Sequence, residues 1–123
     1  MDVTLNSREI RISSESELGV YLEEIDNVCK AEAWMYSESG SSICMLKNDG
    51  DMFLMYLEHP EDDGVVSVGK FKGLENIEFE LANGQVDEYP KSWCLGSESA
   101  LKGLAYFYIN NGLKSEYIDW QKA

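Results

Sequence analysis

One histidine, three cysteines and 23 acidic side chains are what this chain could bring to catalysis or metal binding. His59 would have to serve as the base of any histidine-dependent triad. It sits in Glu58-His59-Pro60-Glu61-Asp62-Asp63, with no serine or cysteine nucleophile signature beside it. Cys29, Cys44 and Cys94 form no Cys-x-x-Cys pair and His-Glu-x-x-His does not occur, so these common zinc spacings are missing. Gly64, Gly69 and Gly73 make neither a Gly-x-Gly-x-x-Gly turn nor a phosphate-cradling Gly-rich loop ending in Lys-Ser/Thr. Asp62-Asp63 could recruit a divalent cation, but the alternating carboxylates and glycine of a calcium loop are absent there and around Asn48 to Asp51. With so many acids a general acid/base pair can be drawn at will, so pairing alone selects no site. The expectation is a protein without catalytic residues, metal ligands or a cofactor.

Where the acids fall is more informative than their number. Glu58, Glu61, Asp62 and Asp63 put four carboxylates within six residues. Further on, Asn83-Gly84 has the composition of a two-residue hairpin turn. That turn would set Leu81 opposite Val86 and Glu80 opposite Asp87, with Glu78 on the Glu80 face. Like charges directly opposite one another destabilise a sheet. A chain that needed only solubility could have interspersed lysines, as Lys70 and Lys72 do nearby. Glu58, Glu61, Asp62, Asp63, Glu78, Glu80 and Asp87 are therefore the expected docking residues, a surface that gives up some stability to steer a cationic partner.

The elements that would carry these residues are legible from periodicity. After a β-like stretch around Glu9 to Ile12, Ser14 precedes Glu17 by three residues, a capping-box start for a helix. Leu18, Leu22, Ile25 and Cys29 then recur at helical spacing for about four turns. On that stripe Cys29 should be a core thiol, as should Cys44 on a strand with apolar neighbours. Strands are predicted at Ala33 to Ser37, Ser42 to Lys47, Met52 to Glu58, Val65 to Val68, Glu75 to Leu81 and Gln85 to Tyr89. Met52 to Leu57 is apolar on both faces, as a central strand covered from both sides would be. Ser97 and Ser99 can cap a second helix with a stripe of Leu101, Leu104, Ala105 and Tyr108, and Gly112 should stop it. Tyr117, Ile118 and Trp120 then form an extended tail packed on the core. This order predicts an α+β fold, residues 1–123 in one domain, with an antiparallel sheet built from hairpins and two amphipathic helices grouped on one side of it.

At 123 residues the chain can bury one substantial core, and 44% hydrophobic residues with two prolines are not the composition of a disordered tail. The charge of −13 repels free nucleic acid and anionic membranes, and attracts basic partners. An odd number of scattered cysteines, no signal-like N-terminus and no apolar run of about 20 residues fit a reducing cytoplasm.

Asn83-Gly84-Gln85-Val86-Asp87-Glu88-Tyr89-Pro90-Lys91-Ser92-Trp93, followed by Ala100-Leu101, Ala105, Tyr106-Phe107, Asn111-Gly112 and Ile118-Asp119-Trp120, resembles immunity protein family 1 of bacterial polymorphic toxin systems. The likeness covers about the last 45 residues. It implies a cytoplasmic, non-enzymatic α+β protein that neutralises a cognate toxin in a 1:1 complex. The toxin it implies is a basic deaminase or nuclease acting on nucleic acid. The matching residues are mainly structural in character and transfer no binding site. An acidic adaptor or regulatory module unrelated to toxins is the alternative, and a small metal-dependent hydrolase the second.

Overall fold

The computed structural model describes residues 1–123. Its strands are β1 (Asp2–Leu5), β2 (Arg8–Arg11), β3 (Lys30–Tyr36), β4 (Ser42–Asn48), β5 (Asp51–Leu57), β6 (Val65–Ser67), β7 (Asn76–Glu80), β8 (Val86–Pro90) and β9 (Trp120–Lys122). Its helices are α1 (Glu15–Asn27) and α2 (Ser97–Ile109). Seven strands form one antiparallel sheet in the order β2-β1-β3-β4-β5-β6-β9, while β7 and β8 pair only with each other. The fold is α+β, as the element order predicts.

Alternation sorts the side chains of β4 and β5 onto two faces. Ile43, Met45, Met52, Leu54 and Tyr56 pack with Leu18, Tyr21 and Ile25 of α1 and Ala100, Leu104 and Phe107 of α2. Cys44, Leu46 and Phe53 point the other way, where Phe79 of β7 completes a second, smaller core. Both strands lie mid-sheet and are covered from both sides, which is why Met52 to Leu57 shows no polar face. The molecule thus has three layers: helices, main sheet and the β7–β8 hairpin. A single sheet with helices was the expectation; instead the last hairpin leaves the sheet and lies across it.

Three local departures have plain causes. β1 is absent from the periodicity reading because Asn6 and Ser7, both with positive φ, make a turn that only their backbone angles reveal. The Asn6 side chain also accepts from Glu32 N–H at 2.8 Å, tying that turn to β3. α1 ends at Asn27, so Cys29 lies beyond the helix and is exposed, not in the core. Cys44 is buried as expected, and burial holds its thiol pKa well above the usual value. α2 is capped by Gly96 and not by a serine side chain. Its buried face centres on Ala100, Gly103, Leu104 and Phe107, so the expected stripe is rotated, with Leu101, Ala105 and Tyr108 at its margins.

Other expectations match. Ser14 Oγ accepts from Glu17 N–H at 3.1 Å, and Glu17 reaches back to Ser13 N–H at 2.7 Å, one residue earlier than the reciprocal box. At the far end of α1, the buried Lys47 ammonium donates to the carbonyls of Ile25 and Asp26 at 2.9 and 3.0 Å. It supplies the cation that the last turn of the helix lacks in its own sequence. Gly112 takes φ +96° after α2, and Trp120 packs against Tyr56 at 6.3 Å between ring centroids, whereas Tyr117, expected on the core with it, is exposed in a turn.

Candidate functional site: the outer face of the β7–β8 hairpin

The hairpin is held to the main sheet by its odd-numbered side chains. Phe79 meets Phe53 edge-on at 5.2 Å between centroids, and Tyr89 tilts onto the same ring at 5.1 Å. Trp93, in the single 3₁₀ turn Lys91–Trp93, also packs on Phe53 at 5.4 Å, beside Tyr89. Polar ties fix the angle of approach. Asn48 donates from its side chain to Glu78 O at 2.8 Å, and Ala82 N–H donates to Glu32 Oε1 at 2.9 Å.

The turn sets which acids face solvent. Gly84 N–H donates to Leu81 O at 2.9 Å, Leu81 N–H donates to Gln85 O at 2.7 Å, and Gly84 has φ +91° while Asn83 does not have positive φ. This is a three-residue Ala82-Asn83-Gly84 loop with a bulge at glycine, not a two-residue Asn83-Gly84 turn, which would need positive φ at both residues. The register therefore slips by one: Glu80 faces Val86, Phe79 faces Asp87 and Glu78 faces Glu88. A one-residue slip exchanges the faces of the whole partner strand.

The expected pairing of Glu80 with Asp87 is accordingly wrong, and Asp87 does not join Glu78 and Glu80. It lies on the inner face, half-buried, where it accepts from Gln85 Nε2 at 2.7 Å and from the Tyr89 hydroxyl at 3.3 Å. Burial, and then the neighbouring Asp87 charge, raises the pKa of Tyr89. Glu88 takes the outward place instead. The outer face carries Glu78, Glu80 and Glu88, with Val86 half-exposed among them and one cation near by, Lys30 Nζ, at 3.6 Å from Glu80. The inward preference of Tyr89, an aromatic two residues from Asp87, was the signal in the sequence for this register.

Glu58, Glu61, Asp62 and Asp63 lie elsewhere. Their loop follows Leu57, which pairs with Ser42 at the start of β4, whereas Glu78 is bonded by Asn48 at the other end of that strand. Six strand steps, about 20 Å, separate the two groups, so they make two surfaces and not one. Within the loop Asp62 is occupied. Its carboxylate accepts from Glu58 N–H at 2.9 Å and Gly64 N–H at 3.3 Å. These bonds hold the Asp62 pKa below its ordinary 3.8, the Glu58 amide contributing most. Glu58, Glu61 and Asp63 are exposed around it, as is His59.

A cysteine lines one of the clefts. The cleft between the Gly50–Asp51 turn, Lys70–Lys72 and the start of α2 has a volume of about 620 Å³ and contains Cys94. Burial, followed by the charge of Asp51, pushes that thiol up to about 11, so it stays protonated at neutral pH. No three His, Cys, Asp or Glu side chains converge as a metal-binding group, and no helix is long and apolar enough to cross a membrane. In comparison with known proteins, the chain matches no protein-family model and no curated protein.

Proposed function

We propose that this protein is a cytoplasmic immunity protein that binds and neutralises a cognate bacterial toxin, docking its acidic hairpin face on or near a basic active site. The observation that supports the reading is the opposition of Glu78 and Glu88, with Glu80 alongside, on a layer whose outer side has no packed element. Directly opposed like charges cost a hairpin stability, and a solvated face gains nothing from them in return. A cationic partner turns the same arrangement into attraction and faster encounter. The toxin class, a deaminase or nuclease acting on nucleic acid, comes from the resemblance of the last 45 residues. It agrees with the charge, because enzymes of that kind present basic grooves to phosphate.

The test is co-purification with the product of the adjacent gene, followed by association kinetics of the complex. Glu78→Lys and Glu88→Lys should each slow association several-fold and flatten its dependence on salt, with dissociation changed less. An association rate indifferent to both reversals and to salt would leave the hairpin as ordinary solvated surface.

A further inference from the structure

The hairpin has a free edge as well as a free face. β7 lies against β3 and β4, but β8 pairs with β7 alone. The bonds at the two ends of the hairpin, Leu81 N–H to Gln85 O and Lys91 N–H to Glu75 O at 2.9 Å, fix the alternation between them. Ile77 with Tyr89 and Phe79 with Asp87 are the hydrogen-bonding pairs, while Asn76 with Pro90, Glu78 with Glu88 and Glu80 with Val86 are the non-bonding ones. Non-bonding residues of an edge strand aim their N–H and C=O groups away from their neighbour. Val86 and Glu88 therefore present two N–H and two C=O groups outward, and none of them has a partner elsewhere in the molecule. Pro90 stands at the third such position, where a missing N–H does no harm to the pairing with β7, and there it limits the open edge to one short segment.

We infer that β8 accepts an added strand: an extended cationic segment of the partner pairs antiparallel along Val86 to Glu88 and extends the hairpin to three strands. This rests on the docking reading of the same face. Side chains select the occupant. A strand paired there places alternate residues beside Val86 and Glu88, so an apolar residue meets Val86 and a lysine or arginine meets Glu88 and, across it, Glu78. A second copy of this edge is disfavoured, since it would add a second set of three glutamates to the same small sheet. The acids thus guard the edge against self-association while leaving it open to cations.

The probe is the capped peptide Lys-Thr-Lys-Thr-Ile, whose lysines and isoleucine share one face when extended. Two derivatives carry N-methyl groups, one on the amides of the third and fifth residues, which would bond to β8, the other on those of the second and fourth, which would point away. The first derivative should bind at least about tenfold more weakly, as expected for two lost hydrogen bonds, and the second should match the parent. Bound parent peptide should slow amide exchange at Val86 and Glu88. Val86→Pro, which removes an outward N–H and keeps every charge, should weaken the parent peptide to a similar degree. Equal binding of the two derivatives, or unprotected amides at Val86 and Glu88, would overturn the strand-addition proposal. If binding in that case still weakens with salt and with Glu88→Lys, the docking reading stands without it. If Glu88→Lys has no effect on the peptide, both fall.

Discussion

Two regions of the molecule each gather several carboxylates, but the fold uses them differently. In the Glu58–Gly64 loop, Asp62 is turned inward to collect two backbone N–H groups, so part of the charge closes the loop. On the outer face of the hairpin, Glu78 and Glu88 oppose each other and their carboxylates accept no hydrogen bond, and Glu80 has only Lys30 at 3.6 Å. The first arrangement is a carboxylate that folding needs. The second is one that folding merely tolerates, and tolerance of an unfavourable pair is what supports the proposed docking role of the hairpin.

The largest test of this contrast removes the anchor under the hairpin. Phe79→Ala should cost about 3–5 kcal/mol, the usual range for a buried phenylalanine, because Phe79 is fully buried against Phe53. Denaturant unfolding gives the loss, and amide exchange should rise first along β7 and β8 while the Glu58–Gly64 loop keeps its protection. Uniform loosening of both regions would show that the hairpin is not a separable layer.

A smaller effect separates the two kinds of acid. Glu88→Lys should stabilise the free protein by a few tenths of a kcal/mol, as expected for converting an opposed like-charge pair to an attractive one. Asp62→Ala should destabilise it, because Glu58 N–H and Gly64 N–H lose their acceptor. The sign with pH follows from the depressed Asp62 pKa. Its contribution is present in full above the ordinary carboxylate value and is lost as pH falls through the lower folded value. The difference in melting temperature between the native protein and Asp62→Ala should therefore hold near neutrality, begin to shrink as pH falls past about 3.8 and close only below the lower folded value. Stabilisation by Asp62→Ala, or destabilisation by Glu88→Lys, would reverse the assignment of the two regions.

The smallest effect concerns the thiols. Cys29 should react readily with a thiol reagent in the native protein, and Cys29→Ser should leave stability within about 0.5 kcal/mol, the usual range for an exposed position. Cys44 should react only on unfolding.

Much of this architecture was legible in the sequence, because it depends on local period and composition. Ser14 and Glu17 started a helix, Met52 to Leu57 announced a doubly covered strand, and Gly112 stopped a helix. So was the excess of acid. Position relative to distant elements was not legible. Whether Cys29 belonged to the helix depended on where β3 had to begin. Whether Asp87 met Glu80 or Phe79, and so whether Glu88 met Glu78, depended on one extra residue in a turn, and that choice was made by Tyr89 and Phe79 seeking the Phe53 ring across the sheet. Local sequence supplies the energy of a turn or a cap, a kcal/mol or so each. Burying two aromatic rings in a shared core supplies several times that, so the tertiary contact decided the register and, with it, which carboxylates face the solvent.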